Sequence, residues 1–512
     1  MAYLLLPVLL TLAALLLGLL HWLGALRRRR PGEPPLDRGG LPWLGHVLPF
    51  RRNTAEFLRR MRGKHGDVFT VQLGGHYVTF LMDPLSYGAV VKESKAMLDF
   101  EKFAVELVAR VFGYRAREED HQLLVAASSK HLMGDGLVEL TQSMMGNLQK
   151  LMLHGAAEAG RWEEGELFHF CYNIVFRAGY LTLFGTEPAA GADPEAARQR
   201  DRQHSERLFG HFRRYDRLFP RLAYAVLPPR QRLEAERLKR LWWDLLAVGR
   251  TGARENVSGW VAERRRQMAE QGVGAAMQSR YMFLLLWASQ GNTGPSAFWL
   301  LAHLLGSPEA LRAVRAEVDG VLRETGQAAR AGGPPVQLTR DMLLRTPVLD
   351  SAVDESLRLT AAPVLIRAVQ RDGSLRLADG RHYALRRGDR LALFPYLSAQ
   401  MDPEIHPQPH TFRYDRFLRP GGDGASVRKT DFYKGGKRLK YYNMPWGAGV
   451  SMCPGRFFAV NELKQFVFLM ISYFDFELLN PEEGVPPVDC SRWGFGTMQP
   501  TRSVRFRYRM RC

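Results

Sequence analysis

The apolar positions of this chain fall into three kinds of run, and each predicts a different element. The first kind is continuous. Residues Ala2 to Leu26 are almost all apolar and contain no Asp, Glu, Lys or Arg. About 20 such residues suffice to cross a bilayer. Arg27, Arg28, Arg29 and Arg30 follow at once, and the positive-inside bias keeps them, with the body behind them, in the cytosol. A cleaved signal peptide carries its positive charge ahead of the apolar run and a small-residue cleavage site behind it. This run has neither, so it reads as an uncleaved anchor over residues 1–26. Pro31-Gly32-Glu33-Pro34-Pro35-Leu36 reads as a stiff, extended spacer inside a basic, proline-rich linker over residues 27–40.

The second kind is short and rich in strand-forming residues. Asp67 to Met82 predicts two strands about Gly74-Gly75, a two-residue hairpin turn. The third kind is long and helical, and it dominates from about Leu85 onward. Tyr281 to Leu305 is apolar nearly all round, the pattern of a buried central helix. Gly291, Gly294 and Pro295 predict a kink in its middle. Phe457 to Phe474 predicts a second buried helix. Thr186 to Ala196 and Thr325 to Pro335 read as surface loops. No fixed-period repeat and no second core behind a flexible linker is visible. The pattern predicts one large domain over residues 41–512, mainly α with small β-sheets.

Composition narrows the partners. The chain has 512 residues, of which 46% are hydrophobic, enough for a large core, and a formal net charge of +19. That charge favours anionic membrane lipid or acidic proteins. The basic residues are scattered and no groove-reading motif is present, so no nucleic acid is expected. Cys171, Cys453, Cys490 and Cys512 form no C-x-x-C pair, which excludes a disulfide-stapled scaffold and points to a reducing compartment.

The strongest chemical signal is Pro445-Trp446-Gly447-Ala448-Gly449-Val450-Ser451-Met452-Cys453-Pro454-Gly455-Arg456-Phe457-Phe458. Gly447 and Gly449 allow a tight turn and a close approach to a flat ligand. Cys453 precedes a helix start, where orphan amides and the helix dipole favour a thiolate. A thiolate is the species that ligates iron. A lone cysteine is otherwise a buried structural residue; the glycine turn, the helix and the charged residues below favour ligation. Glu355-Ser356-Leu357-Arg358 places a carboxylate and a guanidinium on one helix face, and Thr346-Pro347 is a plausible start for that helix. In the central helix, Asn292 and Thr293 are polar in an apolar field. Trp287 lies one turn before Gly291.

The cysteine loop resembles that of the cytochrome P-450 superfamily. Glu355 to Arg358 and Pro409, Phe412, Arg416 and Phe417 resemble two further segments of it. Two positions depart: Trp446 stands for the family's phenylalanine, and Ser451 for a basic residue that meets a haem propionate. The resemblance implies a haem b with Cys453 as axial ligand and Trp446 and Gly447 beside it. It also implies Arg367 at a propionate, with Lys437 and Arg438 as weaker candidates. It further implies that Glu355, Arg358 and Arg416 lock the cysteine loop, a structural role. Thr293 matches the alcohol that assists oxygen activation. Asn292 replaces the usual acid and is expected to position water or substrate. Trp287 is expected at the wall of the substrate pocket.

The segments Trp287 to Pro295, Pro445 to Ala459 and Arg492 to Pro500 narrow the resemblance. They are similar to a group comprising the sterol 12α-hydroxylases, the prostacyclin synthases and the cholesterol 7α-hydroxylases, and most to the first. This implies hydroxylation of 7α-hydroxycholest-4-en-3-one in bile-acid synthesis, with O2 and with electrons from NADPH through a cytochrome P-450 reductase. It also implies the endoplasmic reticulum membrane. In the prostacyclin synthases, which isomerise an endoperoxide, the position of Thr293 is a methionine, and the 7α-hydroxylases differ more over Trp493 to Pro500. A haem-bearing sterol binder without turnover is the reading of a different class, and no residue favours it. Lys434, Lys437, Arg438 and Lys440 read either as a solvated charge run or as a docking surface for an acidic reductase.

Overall fold

The helices that build the site are α1 (Phe100–Phe112), α2 (Gly136–Met152), α3 (Leu167–Phe184), α4 (Pro194–Ala223), α5 (Ala275–Gln290), α6 (Thr293–Leu305), α7 (Pro347–Thr360) and α8 (Arg456–Tyr473). They belong to a computed structural model that describes residues 27–511 apart from 118, 154–159, 189–192 and 423–425, with scattered positions among the first 26. The expected anchor over residues 1–26 lies largely outside the described residues. No helix among those described is long and apolar enough to cross a membrane.

Helices α6 and α8 are apolar around almost their whole circumference and are correspondingly buried. Such helices can only sit inside a core. Helix α6 packs on α3, α7 and α8, where Trp299, Leu300, Phe466, Val467 and Leu357 share one hydrophobic cluster. The run Tyr281 to Leu305 is thus two helices rather than one kinked helix, and the first begins earlier, at Ala275. Gly291 and Asn292 separate them, because two glycines and a proline weaken the ladder there. Helix α7 begins at Pro347 after Thr346, as expected. Its first position tolerates a residue with no N–H and a fixed φ.

A six-stranded sheet flanks the helices. Its strands are β1 (Leu36–Asp37), β2 (Val68–Leu73), β3 (His76–Leu81), β4 (Leu98–Asp99), β5 (Leu365–Val369) and β6 (Arg390–Leu393). Their spatial order is β1-β2-β3-β6-β5-β4. Strands β2 and β3 form the expected hairpin, with Gly74 and Gly75 both at positive φ, as a two-residue turn of this hand requires. The segment read as a linker lies against this sheet. Strand β1 pairs with β2, and Arg27 and Arg386 both bind the buried Glu33, while Arg27 also pairs with Asp389.

Residues 325–335 contain neither helix nor strand. The loop expected over Thr186 to Ala196 ends sooner, because α4 begins at Pro194. The Asp193 side chain there accepts a hydrogen bond from the Glu195 amide at 3.0 Å. An Asp cap before a proline is a start signal that the loop composition masked.

Gly294 lies where α6 meets α3. A Cβ there would come 1.9 Å from the ring of Tyr172, which is fully buried. Gly294→Ala is expected to cost about 1–3 kcal/mol through overpacking. The check is a lower thermal unfolding temperature than that of the parent protein, while a conservative change at an exposed position leaves it unmoved.

Candidate functional site

The cysteine loop is built from its own backbone. The Cys453 amide donates to the Trp446 carbonyl at 2.8 Å and closes the loop, and the Gly447 amide donates to Met444. Gly447 and Gly449 have φ of +74° and +62°, a region that side chains rarely adopt. A Cβ on Gly449 would meet the Val91 carbonyl oxygen at 2.7 Å, so the loop also packs too closely for any other residue. Cys453 sits just ahead of α8, and the amides of Gly455 and Arg456 point at its sulfur. Burial nonetheless pushes the thiol up, and the amides and the Arg456 guanidinium only partly oppose it. The helix terminus and Arg456 thus favour the thiolate against the cost of burial, and a metal bound at the sulfur would complete the deprotonation.

Glu355, Arg358 and Arg416 meet in the interior. Arg358 grips Glu355 through Nε and Nη2 at 2.7 and 2.8 Å. Arg416 Nε reaches both carboxylate oxygens at 2.9 Å. Glu355 and Arg358 are fully buried and Arg416 nearly so. The remaining guanidinium protons go to the carbonyls of Gln400, Pro407, Gln408 and Thr411. The segment held in this way reaches the cysteine loop. His406 contacts the Tyr442 carbonyl at 3.0 Å, and Phe417 and Phe432 pack on the Tyr442 ring.

Arg367 is buried on β5 and donates to the Ser451 hydroxyl and to the Ile366 carbonyl. Its guanidinium also lies over the Phe100 ring. Among the described residues it forms no ion pair; burial pulls its pKa down, and the charge of Asp99 supports it in part. The serine that departs from the family pattern thus has an arginine attached to it from another strand. Lys437 and Arg438 are exposed on a small hairpin, and Lys434 is paired with Asp402.

Strand β5 is also a partition. Its alternate residues point to opposite faces. Leu365 lies against Gly447 and Arg367 against Ser451. Val364 and Ile366 face the other way and line a cavity of about 520 Å³, with Phe80, Phe103 and Phe495 among its walls. Its rim carries Arg51, Arg110 and Arg390. A volume of this order suits one small, rigid apolar molecule.

Trp287 does not line this cavity. It stacks on Phe219 at 4.1 Å, and Phe219 meets Phe495 edge-on, so Trp287 stands one ring behind the wall. Asn292 is committed elsewhere too. Its side-chain oxygen accepts the Thr497 amide at 3.0 Å, and Gly496 at φ +95° makes room for it. This bond uses one lone pair of the amide oxygen. Thr293 is buried, and its hydroxyl donates to the Ser289 carbonyl at 3.2 Å. Beside it lies the carboxyl of Glu462 on α8, a residue missed in the sequence. An acid inside an apolar helical run is the signal that was there to be read.

Residues 34–506 match the family described as Cytochrome P450. The chain belongs to the cytochrome P450 family. A 5-beta-cholestane-3-alpha,7-alpha-diol 12-alpha-hydroxylase of Sus scrofa is 52% identical over 99% of this chain and 98% of its own length. A 7-alpha-hydroxycholest-4-en-3-one 12-alpha-hydroxylase of Homo sapiens is 50% identical over 98% of each. The prostacyclin synthase of Homo sapiens is 48% identical over 94% of this chain and 95% of its own. The P450 family is one of haem-thiolate enzymes, and the site fits that group on its own features. A buried cation without an acidic partner suits an anionic haem edge. Two glycines at positive φ allow close approach, and a buried thiol waits for a metal's charge.

Removing the charge of Glu355 would leave two guanidinium groups buried against one another. Glu355→Gln is expected to destabilise this P450 by roughly 3–5 kcal/mol. A shifted denaturation midpoint, together with reduced yield of the thiolate-ligated carbon monoxide spectrum, is the check; an unshifted midpoint contradicts the energetic reading of the triad.

Proposed function

We propose that this P450 is a monooxygenase that places a 12α-hydroxyl on 7α-hydroxycholest-4-en-3-one, a step of bile-acid synthesis. Relatives named for that reaction are half identical to it over nearly its whole length. Cys453 would hold the haem iron through its thiolate in this reading, and Arg367, bonded to Ser451, would face the haem's anionic edge. Trp446 and Gly447 would flank the group. Glu355, Arg358 and Arg416 hold the loop in register. When bound, the haem would supply the O2 activation that hydroxylation of a C–H bond requires.

The chain's own residues do the rest. The apolar cavity binds and orients the steroid and excludes water from it. Thr293 holds a proton at its hydroxyl oxygen, within reach of a second polar group. Asn292 fixes the segment that carries Phe495. Trp287 stiffens the wall from behind. The observation that carries this reading is strand β5, with Val364 and Ile366 facing the cavity and Leu365 and Arg367 facing the cysteine loop.

Residues 1–26 anchor the protein in the endoplasmic reticulum membrane in this reading. Residues 27–40 link the anchor to the haem domain of residues 41–512, which faces the cytosol. NADPH-cytochrome P-450 reductase supplies electrons and docks against Lys437, Arg438 and Lys440, which are exposed close to the cysteine loop in sequence. Lys434 contributes less, being paired with Asp402.

A second reading is an endoperoxide isomerase, since a prostacyclin synthase is nearly as similar. An isomerase starts from an O–O bond already present and needs no proton delivered to oxygen. A buried hydroxyl next to a buried carboxyl serves proton delivery, and this favours the hydroxylase.

Two measurements follow. Purified protein with reductase, NADPH and 7α-hydroxycholest-4-en-3-one is expected to yield the 12α-hydroxylated sterol by mass spectrometry, and none without NADPH. NADPH-independent conversion of a prostaglandin endoperoxide, with no sterol product, would move the assignment to the isomerase. Raising salt through the range where the Debye length shrinks from about 10 Å to about 3 Å is expected to slow reduction by the reductase; salt-independent reduction sinks the proposed docking surface.

A further inference from the structure

Most polar groups of the cavity meet on one side, where Arg390, Arg110, His76 and Glu106 lie together. The sheet register puts Arg390 there. It opens β6, an inner strand, opposite Val78 of β3 and Ala368 of β5. Residues opposite one another in a sheet share a face, and so do alternate residues of one strand. Arg390 therefore falls on the face of Val78 and Ile366, both of which line the cavity. A slip of one residue would send it to the face of Leu365 and Arg367. Its guanidinium is mostly buried and lies over the Phe103 ring of α1. Nη2 donates to Glu106 at 3.2 Å and to the His76 ring at 3.4 Å. Among the described residues, Nε and Nη1 bind nothing.

The charge of Arg390 is only partly answered. The Glu106 side chain is 58% exposed, and an exposed carboxylate is a weak partner. Arg110 adds a second positive charge and spends one donor on the Ala223 carbonyl. Burial lowers the Arg390 pKa, Glu106 opposes that, and Arg110 adds to it. The corner thus combines surplus positive charge with spare N–H donors beside aromatic walls. A steroid that fills the cavity takes water away from those donors, and a donor left unpaired is costly. The occupant must therefore bring an acceptor. A ketone oxygen has lone pairs and no proton, which matches a guanidinium that can only donate.

We propose that Arg390 binds the 3-keto oxygen of the steroid and so determines which end of it points to the cavity rim. The inference rests on the steroid reading above. Nε and Nη1 donate to the ketone, while Glu106 and His76 hold the guanidinium through Nη2. Arg110 keeps the corner positive and draws the partial negative charge of the oxygen to it. The hydrocarbon side chain has no acceptor to offer and is left to the apolar walls, which include Phe80, Val364 and Phe495. A rigid ring system held by one directional bond at one end and by ring contacts along its body has one seating. That is the condition for reaction at a single carbon.

The test compares 7α-hydroxycholest-4-en-3-one with its 3-deoxy analogue, by the spectral binding shift of the holoenzyme without reductase or NADPH. The unaltered protein is expected to bind the ketone at least roughly tenfold more tightly, the lower edge for a hydrogen bond to a charged donor. In Arg390→Met that preference is expected to vanish, while affinity for the 3-deoxy sterol stays within about twofold. Arg390→Lys keeps a donor of shorter reach and is expected to retain part of the preference. It carries the test if the methionine variant does not fold. The infrared carbonyl band of the bound ketone, isotope-labelled at carbon 3, is expected at lower frequency in the unaltered protein than in Arg390→Met. Equal weakening of both sterols would make Arg390 a support of the wall and overturn the proposal. A ketone preference or a carbonyl band that the substitution leaves unchanged would overturn it too. If the ketone binds through Arg390 and no 12α-hydroxylated product forms with reductase and NADPH, the proposed reaction fails and the recognition stands. If product forms and the ketone preference does not depend on Arg390, the recognition fails and the reaction stands. If neither sterol binds, both fall.

Discussion

One carboxylate between two guanidinium groups, buried from solvent, is the constraint on which the rest of the site depends. Desolvating three charges costs more than most contacts return, and a buried pair is favourable only when its geometry is good and every spare proton is satisfied. Glu355, Arg358 and Arg416 meet the first condition and most of the second. The carboxylate accepts from both arginines and from the Arg413 amide, and four backbone carbonyls absorb the excess positive charge. Those carbonyls belong to residues 400–411, so the cost of burying the charges dictates where that segment runs. Through His406, Phe417 and Tyr442 it also dictates where the cysteine loop begins. A surface ion pair at the same spacing would order nothing.

The position of β5 follows from the same frame. It leaves the end of α7, the helix that carries Glu355 and Arg358. Fixing the triad therefore fixes the start of the strand that separates the cavity from the cysteine loop. Its pleat then does two jobs with no extra residues. Val364 and Ile366 give the cavity an apolar floor, and Arg367 brings a charge to Ser451. Ser451, which stands where the resemblance leads one to expect a basic residue, accepts a hydrogen bond from that arginine.

What the sequence disclosed were features with local causes. The glycine turn, the helix after Cys453, the Gly74-Gly75 hairpin, the proline start of α7 and the break before Thr293 each depend on residues within a few positions. What it concealed were partners distant in sequence. The Thr497 amide on the Asn292 oxygen, the Phe219 and Phe495 rings between Trp287 and the cavity, and the burial of the Cys453 thiol all come from residues far along the chain. Glu462 was hidden differently, as one acid in a run of apolar residues.

The break between α5 and α6 would be a weakness without that distant partner. Two adjacent non-helical residues free backbone groups in the middle of the core, and such groups must be paired. The Gly291 amide donates to Trp287, the Gly291 carbonyl accepts from the Tyr172 hydroxyl, and the Asn292 carbonyl accepts from the Ser296 amide. The C-terminal segment holds the side chains around the break. Thr497 binds Asn292 and the Ser296 hydroxyl, and the Met498 carbonyl accepts from Trp299. The same segment pairs backbone to backbone with Thr360 and Ala362 beyond α7. It is also tied to α4, where Arg492 and Gln499 both bind Asp216. Phe495, which lines the cavity, therefore sits on a strap held at three points, by the turn at Asn292, by the helix of the charged triad and by α4. A molecule that displaces Phe495 must strain all three attachments. The shape of the cavity and the geometry around Thr293 are mechanically one object, which is what a reaction at a single carbon of a rigid substrate requires.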